Sequence, residues 1–211
     1  MCNLYSLTKS QEAIRALTRA MRDTTGNLPP LPGIFPDTLA PVVRSAPDGV
    51  RELAMMRWGF PPPPNLGTRP VTNVRNTRSP YWRAWLKPEF RCLVPATSFC
   101  EYTDATPKVT HWFALDETRP LFCFAGIWRP WTGERKKEMR EHLLFSFLTC
   151  DANETVRPIH AKAMPVILAT EDEREAWLNA PLDIALGVQK PCPPDMLRVV
   201  ATGERKDGLA A

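Results

Sequence analysis

The chain has 211 residues, 44% hydrophobic and 24% charged, enough for one substantial core and without a visible division into two. No apolar run reaches membrane-spanning length, and Met1–Asp23 lacks the uninterrupted apolar stretch of a secretory signal; the expected compartment is the cytoplasm, including the nucleoid of a bacterium. A net charge of +4 does not by itself mark a nucleic-acid partner, although 19 of the 27 Lys and Arg residues are Arg, whose planar fork suits phosphate; compositional bias alone gives the same excess.

Thr8 through Gln11 has the form of a capping box and precedes Ile14, Leu17 and Met21 on one helical face, which predicts a helix. Asn27–Pro36, NLPPLPGIFP, is expected to be an extended loop, because proline fixes φ and removes backbone donors. Leu39–Val43 and Glu52–Trp58 are strand-like, and Pro61–Pro64 interrupts the chain again. Ser79-Pro80 has the form of a helix start leading into Tyr81, Trp82, Trp85 and Leu86. From Arg91 the pattern turns to strands: Cys92–Pro95, Thr97–Tyr102, His111–Leu115, Leu121–Trp128, Leu143–Cys150 and Met164–Ala169. The charged Gly133–Glu141 is expected to be a connection between two of them. Thr170 with Glu173 makes a second capping box ahead of Trp177 and Leu178, Met196–Ala201 is the last expected strand, and Gly203–Ala211 the expected frayed tail. Many strands with few helices imply an α+β fold, one domain over 1–211 with a curved, mainly antiparallel, barrel-like sheet and flanking helices. The 23 prolines imply many fixed loops on which a site could sit.

Six cysteines without a CxxC pair, and three histidines, give no zinc pattern, so no metal is expected; neither a Walker-type loop nor GxGxxG is present, so no cofactor is expected. Cys123 and Cys150 lie in apolar runs and read as small core residues. Cys2 differs by position. Removal of Met1 would leave an α-amine beside a thiol, and such an aminothiol attacks an aldehyde to give an imine and then closes a five-membered thiazolidine. An α-amine with a pKa of about 7.7–8.0 is already partly nucleophilic at neutral pH. Other candidates are His160, able to move protons just before an apolar strand, and Glu101, a carboxylate in a largely apolar segment. Their plain alternatives are a hydrogen-bonded structural histidine and a strand-end carboxylate facing water. Asn73 by itself reads equally as a turn residue.

Together, Met1-Cys2, Trp58-Gly59, Asn73-Val74-Arg75, Cys92-Leu93-Val94-Pro95, Phe99-Cys100-Glu101-Tyr102, Phe124-Ala125-Gly126-Ile127-Trp128 and Ile159-His160 with Met164-Pro165 resemble, in order and over most of the chain, the SOS-response-associated peptidase (SRAP) family of abasic-site-processing proteins. The resemblance implies a monomer that recognises abasic sites in single-stranded DNA, or at a single-strand/double-strand junction, and bonds the ring-opened sugar through Cys2. It further implies that Asn73 orients the Cys2 amine or the opened sugar, that Glu101 shuttles protons, and that His160 protonates the sugar ring oxygen. Arg75 and Arg83 would hold phosphates. Trp58 would line the site or stack on a base, or else lie in the core.

The chain departs from the family pattern in three places. Asn3-Leu4 replaces the usual Gly-Arg after Cys2, which removes one phosphate contact. The histidine motif carries an extra residue before Met164-Pro165, with Lys162 in place of arginine, a cation without the bidentate fork. The proline-rich Asn27–Pro36 replaces a stretch that often contains Arg-Tyr-Asn. Two other functions fit the same residues: an N-terminal-cysteine peptidase with Glu101 and His160 as acid and base, and a non-catalytic DNA-binding module.

Overall fold

The computed structural model describes residues 2–63 and 67–207. The chain runs through β1 (Tyr5–Leu7), α1 (Gln11–Thr18), β2 (Arg22–Asp23), β3 (Leu31–Ile34), β4 (Leu39–Ser45), β5 (Arg51–Trp58) and β6 (Asn73–Val74). The helix α2 (Pro80–Arg83) and two 3-10 turns lead to β7 (Arg91–Ala96), β8 (Ser98–Tyr102), β9 (Thr110–Ala114), β10 (Phe122–Arg135) and β11 (Glu138–Cys150). It continues through β12 (Met164–Pro165), β13 (Ile167–Leu168), α3 (Glu171–Asn179), α4 (Leu182–Ala185) and β14 (Arg198–Thr202).

The larger sheet runs β12-β11-β10-β7-β4-β5-β2, and a parallel pairing of β11 with β5 closes five of its strands into a barrel. The smaller sheet, β14-β9-β8-β1-β3, is antiparallel throughout. The fold is thus α+β, with a curved, mainly antiparallel barrel and flanking helices, as expected. Every residue of β7 is buried, as in a strand covered on both faces. α3 covers one of those faces: Trp177 Nε1 donates to the carbonyls of Cys92 and Gly126, at 3.0 Å each. Between β10 and β7 the space requires Gly126, since a Cβ there would lie 2.7 Å from Cys92 Sγ and 2.8 Å from Val94 Cγ2.

Several expectations are corrected. Ser10, rather than Thr8, caps α1, accepting from Ala13 N at 3.3 Å, while Gln11 reaches away to Asp23. The helix ends at Arg19 in the left-handed region, which leaves Ile14 buried but Met21 beyond the helix and 78% exposed. The proline-rich loop contains β3; Pro32 is tolerated because β3 is an edge strand, paired on one side only by β1. Gly133–Glu141 is a two-stranded ribbon, with Lys136 and Lys137 at φ 52 and 65 forming a two-residue turn. Glu134, Lys136, Lys137, Arg140 and Glu141 are exposed while Arg135 turns inward and donates to Gly59 O at 3.3 Å, so charge density alone misread the segment as a connection. Met164–Ala169 divides at Val166, with β12 on β11 and β13 on β10. The chain does not fray at Gly203: Asp207 is 3% exposed, accepts from Ser98 Oγ at 2.5 Å, and is clamped by Arg119 at 2.7–2.9 Å. Pro64 and residues 208–211 lie outside the described residues. Pro80 at the start of α2 and the Thr170–Glu173 capping box occur where expected. Among the described residues, no helix is long and apolar enough to cross a membrane.

Candidate functional site

Cys2 is brought to the core by the strand that follows it. β1 pairs with β8 (Tyr5↔Phe99, Ser6↔Ser98), and Cys100 N donates to Leu4 O at 2.9 Å, so Glu101 lies beside the start of the chain. From the barrel side, β6 pairs in parallel with β11, placing Asn73 opposite Phe147. Asn73 Nδ2 donates to the Cys2 carbonyl at 2.9 Å and to Thr72 Oγ1 at 2.7 Å, and Thr72 Oγ1 in turn donates to Asn3 Oδ1 at 3.1 Å. His160 follows a tight turn in which the backbone N–H groups of both Ile159 and His160 donate to Val156 O; its Nε2 is 3.8 Å from Glu101 Oε2. Cys2, Asn73, Glu101 and His160 therefore meet where the two sheets join.

Burial governs their titration. Cys2, Asn73, Glu101 and His160 are 0, 6, 2 and 8% exposed. Burial pushes the Glu101 carboxyl up to about 8 against a partial opposing effect of the positive chain terminus, so at neutral pH it mostly carries its proton. Burial lowers His160, with the chain terminus and Lys162 acting in the same direction and Asp104 and a Tyr102 backbone hydrogen bond acting against them. The Cys2 thiol, which donates to Leu4 O at 3.4 Å, is held well above its ordinary value, first by burial and then by Glu101. The usual allotment is inverted: the carboxyl holds the proton and the imidazole does not.

The expected binding residues divide. Arg75 lies at the exposed rim, ion-paired with Asp151. Lys162 is exposed and close enough to His160 to depress it. Arg83 is exposed on α2, whose Trp82 packs against Phe60; among the described residues no contact joins Arg83 to the quartet. Trp58 takes the core place of its two readings: it is fully buried, 5.2 Å from the Phe147 ring and edge-on to Tyr5, with Nε1 donating to Thr72 O. A ring enclosed in this way cannot stack on a base; it supports the Thr72-Asn73 segment from beneath. Cys123 and Cys150 are buried free thiols, as expected. Among the described residues, no cluster of three or more His, Cys, Asp or Glu side chains could hold a metal.

Sequence reasoning missed Thr72, Asn3 and Asp151. Thr72 and Asn3 carry no recognisable spacing, but the unusual Asn3-Leu4 has a structural place. Asn3 closes the hydrogen-bond chain to Asn73, and Leu4 is buried with Cys100 and Trp112.

A cysteine at position 2 gripped by asparagine, with glutamate and histidine alongside, on a closed barrel with a second sheet, defines a recognisable class. The chain belongs to the SOS response associated peptidase (SRAP) family, which it matches over residues 1–202. It is 32% identical over 134 residues to the abasic site processing protein YoqW of Bacillus subtilis and 31% identical over 137 residues to YobE of the same organism, in each case over 60% of this chain. It spans 57% and 58% of the length of those relatives. A protein from Bordetella bronchiseptica shares the fold (TM-score 0.74, 22% identity, 99% of this chain and 100% of that one). So does one from Bacteroides thetaiotaomicron (TM-score 0.72, 24% identity, 93% and 90%).

Proposed function

We propose that the protein captures abasic sites in single-stranded DNA by forming a thiazolidine between the ring-opened sugar and the aminothiol of Cys2 once Met1 is removed. The observation that carries this reading is the convergence of Asn73, Glu101 and His160 on Cys2, with a carboxyl that holds its proton at neutral pH. The names of the relatives, abasic site processing proteins, agree with it.

The chemistry balances within these residues. The Cys2 amine adds to the aldehyde carbon to give a carbinolamine. Glu101 gives its proton to the departing hydroxyl, so water leaves and an iminium remains beside a carboxylate. That carboxylate then takes the thiol proton as sulfur bonds to the iminium carbon, closing the ring and restoring the acid. Sulfur thus becomes nucleophilic only as the electrophile forms, consistent with a thiol held protonated by burial. His160 relays a proton from Glu101, 3.8 Å away, to the sugar ring oxygen as the ring opens, and the anomeric hydroxyl proton passes to the Glu101 carboxylate, which restores the acid before the amine adds. Asn73 orients the amine: its Oδ1 is buried and has no partner among the described residues, which leaves an acceptor for an amine N–H. Arg75 and Lys162 hold flanking phosphates in the cytoplasm's DNA. A peptidase reading is weaker here, because it requires a Cys2 thiolate, and burial opposes that.

The test is incubation of the purified protein with an oligonucleotide containing one abasic site, followed by denaturing electrophoresis. A Cys2-dependent adduct that survives denaturation is expected; peptide hydrolysis without any adduct overturns the proposal.

A further inference from the structure

β6 and β11 run parallel, with Asn73 beside Phe147 and Val74 beside Leu148, so the residues that follow leave the ladder side by side. One branch carries Arg75 and the other Asp151, and the Arg75 guanidinium donates to the Asp151 carboxylate. Gln189 staples the two branches: its Nε2 donates to Arg75 O at 2.9 Å and to Thr149 O at 3.0 Å, while its Oε1 accepts from Thr77 Oγ1 at 3.1 Å. Arg75, Asp151, Gln189 and Lys190 share an open pocket of about 400 Å³.

We propose that this pocket takes one backbone phosphate of single-stranded DNA between Arg75 and Lys190, and that Asp151 is a resident competitor which the phosphate must displace. The inference rests on the DNA reading above and adds two residues to it. Carboxylate and phosphate use the same guanidinium fork, so one excludes the other. The Arg75 and Asp151 side chains are 42% and 80% exposed; water screens the pair and an entering polyanionic strand can break it. Gln189 holds the Arg75 backbone without help from Asp151, so Asp151 is not what keeps the segment in place. With Asp151 on the fork, Lys190 is the pocket's one cation without an ion pair among the described residues; with Asp151 displaced, Arg75 joins it. The protein therefore resists stray polyanions and yields to a strand that other contacts already hold.

Fluorescence anisotropy with a labelled, undamaged single-stranded oligonucleotide across a salt series tests this on the full chain. Asp151→Asn is expected to tighten binding about three- to tenfold and to steepen the plot of log K against log salt by up to about 0.7. Lys190→Gln is expected to weaken binding and flatten the same plot. In an Arg75→Ala background, Asp151→Asn should bring no gain. Unchanged or weaker binding by Asp151→Asn overturns the inference, as does an equal gain in the Arg75→Ala background, which would indicate general charge alone. A parallel adduct assay with wild-type protein keeps the failures distinct. No adduct defeats the parent reading, whereas adduct formation with an unresponsive Asp151→Asn variant defeats only this inference.

Discussion

The centre and the rim of the site are built on opposite terms. At the centre, four polar residues are nearly dry; their hydrogen bonds run to fixed backbone and side-chain atoms, and burial moves their protons. At the rim, Arg75, Asp151, Lys162 and Lys190 are exposed, and their charges are screened by water. A buried carboxyl near 8 is useful for moving protons but useless for attracting DNA. An exposed guanidinium is the reverse. The comparison implies that rate and affinity are separable in this molecule.

The sharpest break is at the centre. Cys2→Ala should abolish the adduct, and so should a tag that blocks the N-terminus. Cys2→Ser should be severely impaired, since oxygen closes the ring less favourably; gels of the denatured products read all three. Glu101→Gln should slow bonding about a hundredfold and His160→Ala about tenfold in single-turnover kinetics, in the range of lost general acid–base catalysis, without unfolding the chain. The wild-type rate should be bell-shaped in pH. At low pH the α-amine, with a pKa of about 7.7–8.0, is protonated. At high pH Glu101 loses the proton it must give, with a turning point at about 8. In Glu101→Gln the alkaline limb should vanish; an unchanged limb would remove Glu101 from the mechanism.

The rim should respond differently. Arg75→Ala and Lys162→Ala are expected to weaken DNA binding several-fold at moderate salt while leaving the bonding rate at saturating DNA close to wild type. Equal losses in rate would erase the distinction between the two zones. The smallest effect expected is on stability. Because folding raises the Glu101 pKa from 4.5 to about 8, the unfolded chain sheds this proton first. Its contribution is therefore intact below about pH 4.5, declines as pH rises to about 8, and is then level. Glu101→Gln should melt above wild type at pH 8 and close to it at pH 4 in thermal scans.

The same contrast explains what was legible in the sequence. Long strands declared themselves through apolar runs, as in Phe122–Trp128 of β10, and the second helix cap through Thr170 and Glu173. The strands that build the site did not: β1 has three residues and β6 two, too few for any periodicity, and both exist because β8 and β11 offer them partners. Pro32 concealed β3, since a proline weighs against a strand unless the strand is known to be an edge. Cys2, Asn73, Glu101 and His160 were visible as residue types in a family order, but their shifted protons follow from burial that only the fold supplies. Asp151 was invisible because its role depends on the parallel pairing that brings it to Arg75. Trp58 read equally as a site or a core residue because its motif borders the site, and the fold encloses its ring.

Intact-mass spectrometry of the purified protein, before and after exposure to abasic single-stranded DNA, shows whether Cys2 is freed and then captures the sugar. The expected result is a protein lighter than the encoded chain by one methionine, then a second species heavier by the oligonucleotide less one water. A chain that keeps its methionine yet acquires the DNA mass, or one that loses it and acquires nothing, would contradict the chemistry assigned to Cys2.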